Sequence, residues 1–592
     1  MRQAGKWLTG LAIGLAMGLS ALGHGSGALA AQTAGQSSDI LSSPSIVQTP
    51  AKQPVGPEAG VTGKMLKAGT SNPASWLMYG GDYTNHRYSP IKGLTPAAVK
   101  KLKVAWSFPT GTSGQFETSP VIYGGVMYIT TSHNRLMALD AKTGEMLWRY
   151  DYALPEGLKV CCGPVNRGVA ISGDLVLMVT LDAHILALER RTGIVKWNTE
   201  ITPYQDGFAA TSAPLIVGDK AITGVAGGEY GVRGFFDAYD IQTGKRLWRH
   251  YTVPAAGEPG AETWAGDSYK TGGSPTWTTG AYDVETDTLF WTTGNPSPDW
   301  NGDLRAGDNL YSNSIIAVDP NTGARKWHYQ FTPHDVWDYD GNSHIFLVDM
   351  DIAGKPVKAV VQPNRNGFFY ALDRTTGKFL FAKPYVQELN WAKGFDEAGR
   401  PIVDPAAMPQ DKPTMRVCPG NLGGLNGAWT ATYSPLTKLA YVPSVEGCQN
   451  FAKGIVVNVK GIPLLGGMPN PVDVIEGKDH GVLSAIDVAT GEIKWRYEDP
   501  DPMMGGAMST AGGVIFSSTL DGHALALDAA TGKELWRFRM GGAGRGQPVA
   551  YELDGKTYVA IPSGGWSAIT ALSGGPTNIP EGGQLFVFTA GE

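Results

Sequence analysis

Residues 138–148 read Ala-Leu-Asp-Ala-Lys-Thr-Gly-Glu-Met-Leu-Trp, and the reading of this stretch decides the fold. An apolar run ends at Asp140, a polar turn closes on Thr143-Gly144, and a second run carries Trp148. Glycine supplies the positive φ that a tight turn needs, and Asp hydrogen-bonds its own turn backbone. The unit is therefore strand, turn, strand. Its frame, Ala-x-Asp-x-x-Thr-Gly-x-x-x-Trp, returns at 187–197 with Glu189 for Asp, at 238–248, at 317–327, at 371–381 with Phe381 for Trp, at 485–495 and at 526–536. Most of the aromatic positions lie about 50 residues apart, the spacing of a four-stranded propeller blade. The interval from 381 to 495 is long enough for two units, so a degenerate copy is expected there, around 429–444. Seven visible copies and one hidden copy predict an all-β, eight-bladed β-propeller with tryptophan-docking repeats. Residues from Trp76 to about Pro109 are expected to close the ring by pairing with Gly583–Thr589.

Composition agrees with a large folded core. The chain has 592 residues, 42% hydrophobic and 17% charged, and amphipathic helical runs are scarce. Net charge is −6 with no long basic run, which disfavours nucleic acid as a partner. Residues 1–31 read as a cleaved export signal. Arg2 and Lys6 precede the apolar stretch Trp7–Leu22, and Ala28-Leu29-Ala30 offers a small-residue cleavage site. No other segment is long and apolar enough to span a membrane. The expected location is the periplasm, an oxidising compartment in which disulfides persist. Residues 32–75, rich in Ser, Pro, Gly, Ala and Thr, read as a flexible lead-in, and 76–592 as the propeller.

Several residues fall outside the repeat and point to chemistry. Asp338 and Asp340 stand two apart in His334–Asn342; in a strand they would share a face. Adjacent carboxylates repel unless a cation lies between them, but Asp, Asn and Gly also make ordinary solvated turns. Glu229 sits in Gly227-Gly228-Glu229-Tyr230-Gly231, and Asn295 in Thr293-Gly294-Asn295-Pro296. With Asp338 and Asp340 they form an all-oxygen set suited to a hard ion. Cys161-Cys162 are adjacent; in an oxidising compartment they can close a small rigid ring on which a planar ligand could stack, and otherwise they are two buried thiols. Arg167 is a candidate carboxylate partner, and Trp277, after Gly272-Gly273, either stacks on something flat or is core. No Cys-x-x-Cys-His is present, so no covalent haem is expected on this chain.

Taken together, the Cys161-Cys162 pair with Arg167, the Gly-Gly-Glu segment, Pro275-Thr276-Trp277, Thr293–Pro296, Trp337-Asp338-Tyr339-Asp340 and Asn364–Tyr370 resemble the quinoprotein alcohol dehydrogenases. That resemblance implies pyrroloquinoline quinone, PQQ, sandwiched between a Cys161–Cys162 disulfide and the Trp277 indole. It implies cofactor donors at Glu117, Arg167, Thr211, Gly227, Gly228, Arg365 and Asn426, with Thr276 a further candidate. Glu229, Asn295 and Asp338 are implied metal ligands, and Cys418 and Cys448 a structural disulfide. Asp338 would act as general base while hydride passes to metal-activated PQQ, with Arg365 stabilising charge on the quinone oxygens. An acid at Asp340 resembles the lanthanide-dependent branch, since a trivalent ion gains more from an added carboxylate than Ca²⁺ does.

Two departures bear on the substrate and one on the cofactor. Met503-Met504 stands where relatives often have an aromatic, and Pro419–Leu425 is low in bulk; both point to a bulky or secondary alcohol rather than methanol. Ala226 replaces a frequent Ser beside the cofactor segment. Electrons would pass to a separate soluble cytochrome c; the oligomeric state stays open. An aldehyde or sugar dehydrogenase is the nearest alternative, and a non-catalytic propeller scaffold a more distant one.

Overall fold

The computed structural model describes residues 48–470, 479–565 and 579–590; the export signal read at 1–31 lies outside them. Eight sheets with a four-stranded core follow one another along the chain, two of them extended by a short fifth strand. Blade 1 runs from its inner strand Val121–Tyr123 to its outer strand Met146–Asp151, blade 2 from Ala170–Ser172 to Val195–Glu200, and blade 3 from Leu215–Val217 to Arg246–Tyr251. Blade 4 runs from Ala281–Asp283 to Arg325–Gln330, blade 5 from Phe346–Ile352 to Phe379–Pro384, blade 6 from Thr432–Ser434 to Ile493–Asp499, and blade 7 from Met508–Thr510 to Glu534–Arg539. In blade 8, Val549–Leu553, Lys556–Ser563 and Gly582–Ala590 are completed by Leu102–Ser113. Val104 pairs there with Phe588 and Phe108 with Leu585, the ring closure anticipated from the sequence.

The repeat works as a dock between neighbouring blades. Asp140 Oδ1 accepts the N–H groups of Lys142 at 2.9 Å and Thr143 at 2.8 Å, which shapes the turn. Trp148 Nε1 donates to Arg190 O of the next blade at 3.0 Å, Trp197 to Ile241 O at 2.9 Å and Trp248 to Pro320 O at 3.0 Å. Each acceptor directly follows the acid of the next repeat. A Cβ on Gly193 would come 2.7 Å from the Trp148 ring. The turn glycine thus serves two needs, a φ of 76° and room for the neighbouring indole.

The count of eight holds, but the eighth blade is not in the interval 381–495. Thr432–Ser434 and Leu439–Glu446 are the two inner strands of blade 6, whose outer pair carries the repeat at 485–495. The interval is long because insertions add a pair, Ala392–Phe395 with Pro401–Val403, and a three-stranded patch, Thr414–Val417, Gln449–Lys453 and Gly467–Asn470. The eighth docking aromatic is Trp106, on Leu102–Ser113. Its Nε1 donates to Ala141 O at 3.3 Å, and a Cβ on Gly144 would lie 2.5 Å from its ring. The sequence frame is missing there because the two strands that its turn would join come from opposite ends of the chain.

The lead-in read at 32–75 also differs from expectation, being packed from residue 48 onward. Gln48–Thr49 pairs with blade 1, Val61 exchanges hydrogen bonds with Gly173, and a short helix, Gly63–Ala68, is capped by Thr62 and buries Leu66. Two well-placed apolar residues anchor a stretch whose composition is otherwise that of a linker. Residues 76–89 then run through the middle of the ring. Trp76 bonds Ile122 of blade 1, Tyr83 Oη donates to Ile216 O of blade 3 at 2.7 Å, and the N–H groups of Tyr282, Leu347 and Tyr433, on blades 4 to 6, donate to Tyr83, Thr84 and His86. Arg87 reaches Ala507 O beside blade 7 and Pro548 O beside blade 8. No helix among the described residues is long and apolar enough to cross a membrane.

Trp106→Ala and Trp148→Ala are each expected to destabilise the protein by about 3–5 kcal/mol, although only Trp148 belongs to the sequence repeat. Denaturant midpoints of the two variants check this; a loss at Trp106 below about 1 kcal/mol would remove it from the docking set.

Candidate functional site

In an up-and-down blade, the link entering the inner strand and the turn between the second and third strands emerge at the same end of the ring. The Asp-Thr-Gly turns lie at the other end. The first set of loops carries Glu117, Arg167, Thr211 and Trp277, each three or four positions ahead of the inner strand of blades 1 to 4. Asp338 and Asp340 precede blade 5, and Asn426 precedes blade 6. The second set carries Gly227–Glu229 of blade 3, Asn295 of blade 4 and Arg365 of blade 5. Residues scattered over some 300 positions are thereby gathered at one end.

One part of this cluster is cationic. Arg167 Nη2 lies 2.9 Å from Glu117 Oε2, and its Nη1 donates to Thr211 Oγ1 at 2.8 Å. The Arg167 guanidinium sits 4.7 Å from the centre of the Trp277 ring, a cation–π contact. The Cys161–Cys162 disulfide is closed, and its sulfurs and a Glu229 carboxylate oxygen lie within 4.8 Å of one another. Cys162 is exposed and Trp277 half-buried. The Cys418–Cys448 disulfide is also closed.

The other part is acidic. Arg365 Nη1 lies 2.8 Å from Asp340 Oδ2 and Nη2 3.2 Å from Asp338 Oδ2, while Nε donates to Asn421 O. Asp340 Oδ1 accepts the Asn295 N–H at 3.0 Å. Burial pushes the Glu229 carboxyl up to about 7, and the charge of Asp340 adds to this. Asp338 is held well above the usual carboxylate range, first by burial; Arg365 pulls it down, and Asp340 and Glu229 push it up again. Asp340 is raised chiefly by burial. These acids want a cation, and the donor set, carboxylates with one amide, is that of a hard ion.

Some site residues stand differently from the sequence reading. Asp338 and Asp340 are in a loop, not a strand, both with left-handed backbone, φ 60° and 53°, and both reach the Arg365 guanidinium. Asp335 pins that loop by accepting the N–H groups of Trp337 at 2.9 Å and Tyr339 at 2.8 Å. Thr276 does not face the cleft: it is fully buried, its hydroxyl donating to Phe235 O and accepting from Val225 N at 2.9 Å. Gly227, with φ 112°, and Gly228 are required by packing, since a Cβ would strike Gly207 O at 2.2 Å and Pro275 at 2.8 Å respectively. Met503 and Met504 are fully buried, with Met504 Sδ 3.2 Å from Arg545 Nη1, so they open no pocket.

Two residues escaped the sequence reading. Asp299 is 1% exposed with no hydrogen-bond partner for Oδ1, and burial followed by the charges of Asp338 and Glu229 raises it well above the usual range. Its place four residues after Asn295 was the available signal. Arg545 is the residue before blade 8 that matches the loop position of Glu117 and Arg167, a signal visible only once the eighth blade is placed.

Comparison with known proteins agrees with this layout. The family described as "PQQ: Glucose/ethanol/alcohol dehydrogenase, beta-propeller domain" matches residues 76–388, and that of the outer membrane protein assembly factor BamB matches 479–576, where two tryptophan repeats lie. Quinoprotein alcohol dehydrogenase PedH of Pseudomonas putida is 40% identical over 90% of this chain and 93% of its own length. A lanthanide-dependent methanol dehydrogenase of Methylacidiphilum fumariolicum is 36% identical over 86% of this chain and 88% of its own. The solved structure of a europium-containing methanol dehydrogenase superimposes with a TM-score of 0.85 at 34% identity, covering 89% of this chain and 100% of that one. With that family match and such identity across nearly the whole propeller, the chain belongs to the PQQ-dependent quinoprotein alcohol dehydrogenases.

Proposed function

We propose that this protein is a periplasmic dehydrogenase that oxidises an alcohol to the aldehyde or ketone, using PQQ and a lanthanide ion or Ca²⁺ in this cleft, and that it passes electrons to a separate cytochrome c. The observation that carries the reading is the convergence of the closed Cys161–Cys162 ring with Glu229, and of Arg365 with Asp338 and Asp340, at one end of the ring.

The residues fit both groups. Cys161–Cys162 and Trp277 would flank the planar cofactor, while Arg167, Thr211, Asn426, Arg365 and the backbone of Gly227 and Gly228 would meet its carboxylates and oxygens, and Glu117 would act through the Arg167 it pairs with. Glu229, Asn295, Asp338 and Asp340 would hold the metal. When bound, PQQ and its ion supply a two-electron acceptor and a Lewis acid, chemistry that no side chain here provides. The protein's own groups orient the alcohol and move its proton. Asp338 is the base: its Oδ2 is paired with Arg365, leaving Oδ1 for the substrate hydroxyl, and its side chain is 17% exposed against 6% for Asp340. Arg365 holds both aspartates in register, and its charge pulls the Asp338 carboxyl down against the rise that burial causes. Asp340 accepts the Asn295 N–H at Oδ1 and an Arg365 N–H at Oδ2, and a Trp277 hydrogen bond also lowers its carboxyl, contacts that fix its direction toward the metal position. The lanthanide-dependent and europium-containing relatives support the trivalent ion. A substrate larger than methanol now rests on Pro419–Leu425, which roofs Arg365 through Asn421 O.

The test is turnover of the stripped protein with an artificial acceptor, on primary and secondary alcohols. Activity is expected to require PQQ, to be highest with La³⁺, and to lose the La³⁺ advantage in Asp340→Ala. Ca²⁺-supported activity untouched by that change would remove Asp340 from the metal site, and indifference to PQQ would reject the reading. Asp338→Asn is expected to lower turnover by about 10²- to 10⁴-fold while PQQ still quenches tryptophan fluorescence.

A pH dependence follows for the metal-free protein. An acid whose folded pKa exceeds its unfolded value binds more protons folded than unfolded between the two, so stability falls as pH rises through that window. For Glu229 the window runs from 4.5 to about 7. Melting temperature is expected to fall across it without metal and to flatten when La³⁺ is added; parallel curves with and without the ion would place the binding elsewhere.

A further inference from the structure

Arg545 heads the eighth blade, four positions ahead of Val549–Leu553. It is 1% exposed. Its Nη2 donates to Glu117 Oε1 at 2.8 Å, across the seam where blade 8 meets blade 1. Its Nη1 rests against Met504 Sδ, and its Nε finds no hydrogen-bond partner. On its other oxygen Glu117 meets Arg167, whose Nε is likewise unpartnered. One buried carboxylate therefore faces two buried guanidiniums. Arg87 nearby is buried as well, and among the described residues its side chain bonds only backbone carbonyls and Ser119. Packing does not ask for this: an apolar side chain against Met504 would avoid the desolvation of a charge.

The arrangement makes sense as charge bookkeeping around an anion. Paired with Glu117 alone, Arg167 would present a neutral ion pair to the cleft. Two arginines on one glutamate leave a full positive charge beside Trp277, matched to a carboxylate by the guanidinium fork.

We propose that Arg545 is a positioning residue that takes up the charge of Glu117 and so leaves Arg167 free to bind a carboxylate of the cofactor. The inference rests on the reading that PQQ occupies this cleft. It concerns a residue that acts through Glu117 rather than one that touches the reacting atoms.

The experiment measures binding of PQQ and of its trimethyl ester to the full-length protein at a fixed La³⁺ concentration, by quenching of tryptophan fluorescence. Arg545→Met is expected to weaken PQQ by about 10- to 100-fold, the size of one hydrogen-bonded charge, and to leave the ester unchanged. Arg545→Met combined with Glu117→Gln restores the net charge and is expected to return PQQ to within about threefold of the wild type. Unchanged PQQ binding in Arg545→Met, equal losses for PQQ and ester, or failure of the double variant to recover would each overturn the proposal. Should Arg545→Met not fold by its thermal melt, Glu117→Gln alone decides: PQQ binding at least as tight as wild type supports the proposal, and a tenfold loss overturns it. A wild-type protein that binds neither ligand overturns the PQQ reading itself, a result distinct from all of these.

Discussion

The docking of one blade's indole against the next blade's turn glycine is the constraint on which the rest of this structure depends. An isolated four-stranded sheet leaves both faces wet, and only a closed ring buries them all. The indole N–H to carbonyl bond sets where each neighbour sits, from Trp106 on Ala141 O to Trp495 on Ala529 O. Once the blades are spaced in this way, the loops entering the inner strands have no freedom but to meet around the axis. The functional cluster is thus a consequence of ring closure. The segment 76–89, bonded to blades around the ring, makes the closure a property of the whole chain.

Within that frame the site is an exercise in unbalanced burial. Acids crowd one side, where Glu229, Asp338 and Asp340 face Arg365 and the neighbouring Asp299 has Arg305. Guanidiniums crowd the other, where Arg167 and Arg545 share Glu117. Charges of one sign held together in a low dielectric cost stability unless a partner of opposite sign arrives. The two imbalances have opposite sign and lie in one cleft. A metal ion and an anionic planar cofactor would relieve both, and that complementarity is the physical support for the proposed function.

Legibility differed sharply between levels. The repeat was plain because every interaction that defines it is local: Asp140 bonds the N–H groups two and three residues on, and Gly144 follows at once. The blade count came out right for a partly wrong reason. The long interval 381–495 holds insertions in one blade, whereas the true eighth aromatic, Trp106, sits far from any repeat frame. The lead-in misled because Val61 and Leu66 are single anchors in linker-like surroundings. The cluster residues were found through resemblance, yet resemblance did not reveal that the Thr276 hydroxyl turns inward to Phe235 and Val225.

By itself the sequence determined the strand–turn–strand unit, the adjacent cysteines and the acidic and glycine segments that mark the family. All of these are encoded within about a dozen neighbouring residues, where backbone preference and side-chain spacing suffice. Only the tertiary structure decided which residues meet. Arg545 and Glu117 are 428 positions apart, and Leu102–Ser113 completes a sheet begun at Val549. Such contacts exist because a ring must join its ends, and no local pattern records which distant side chains that joining brings face to face.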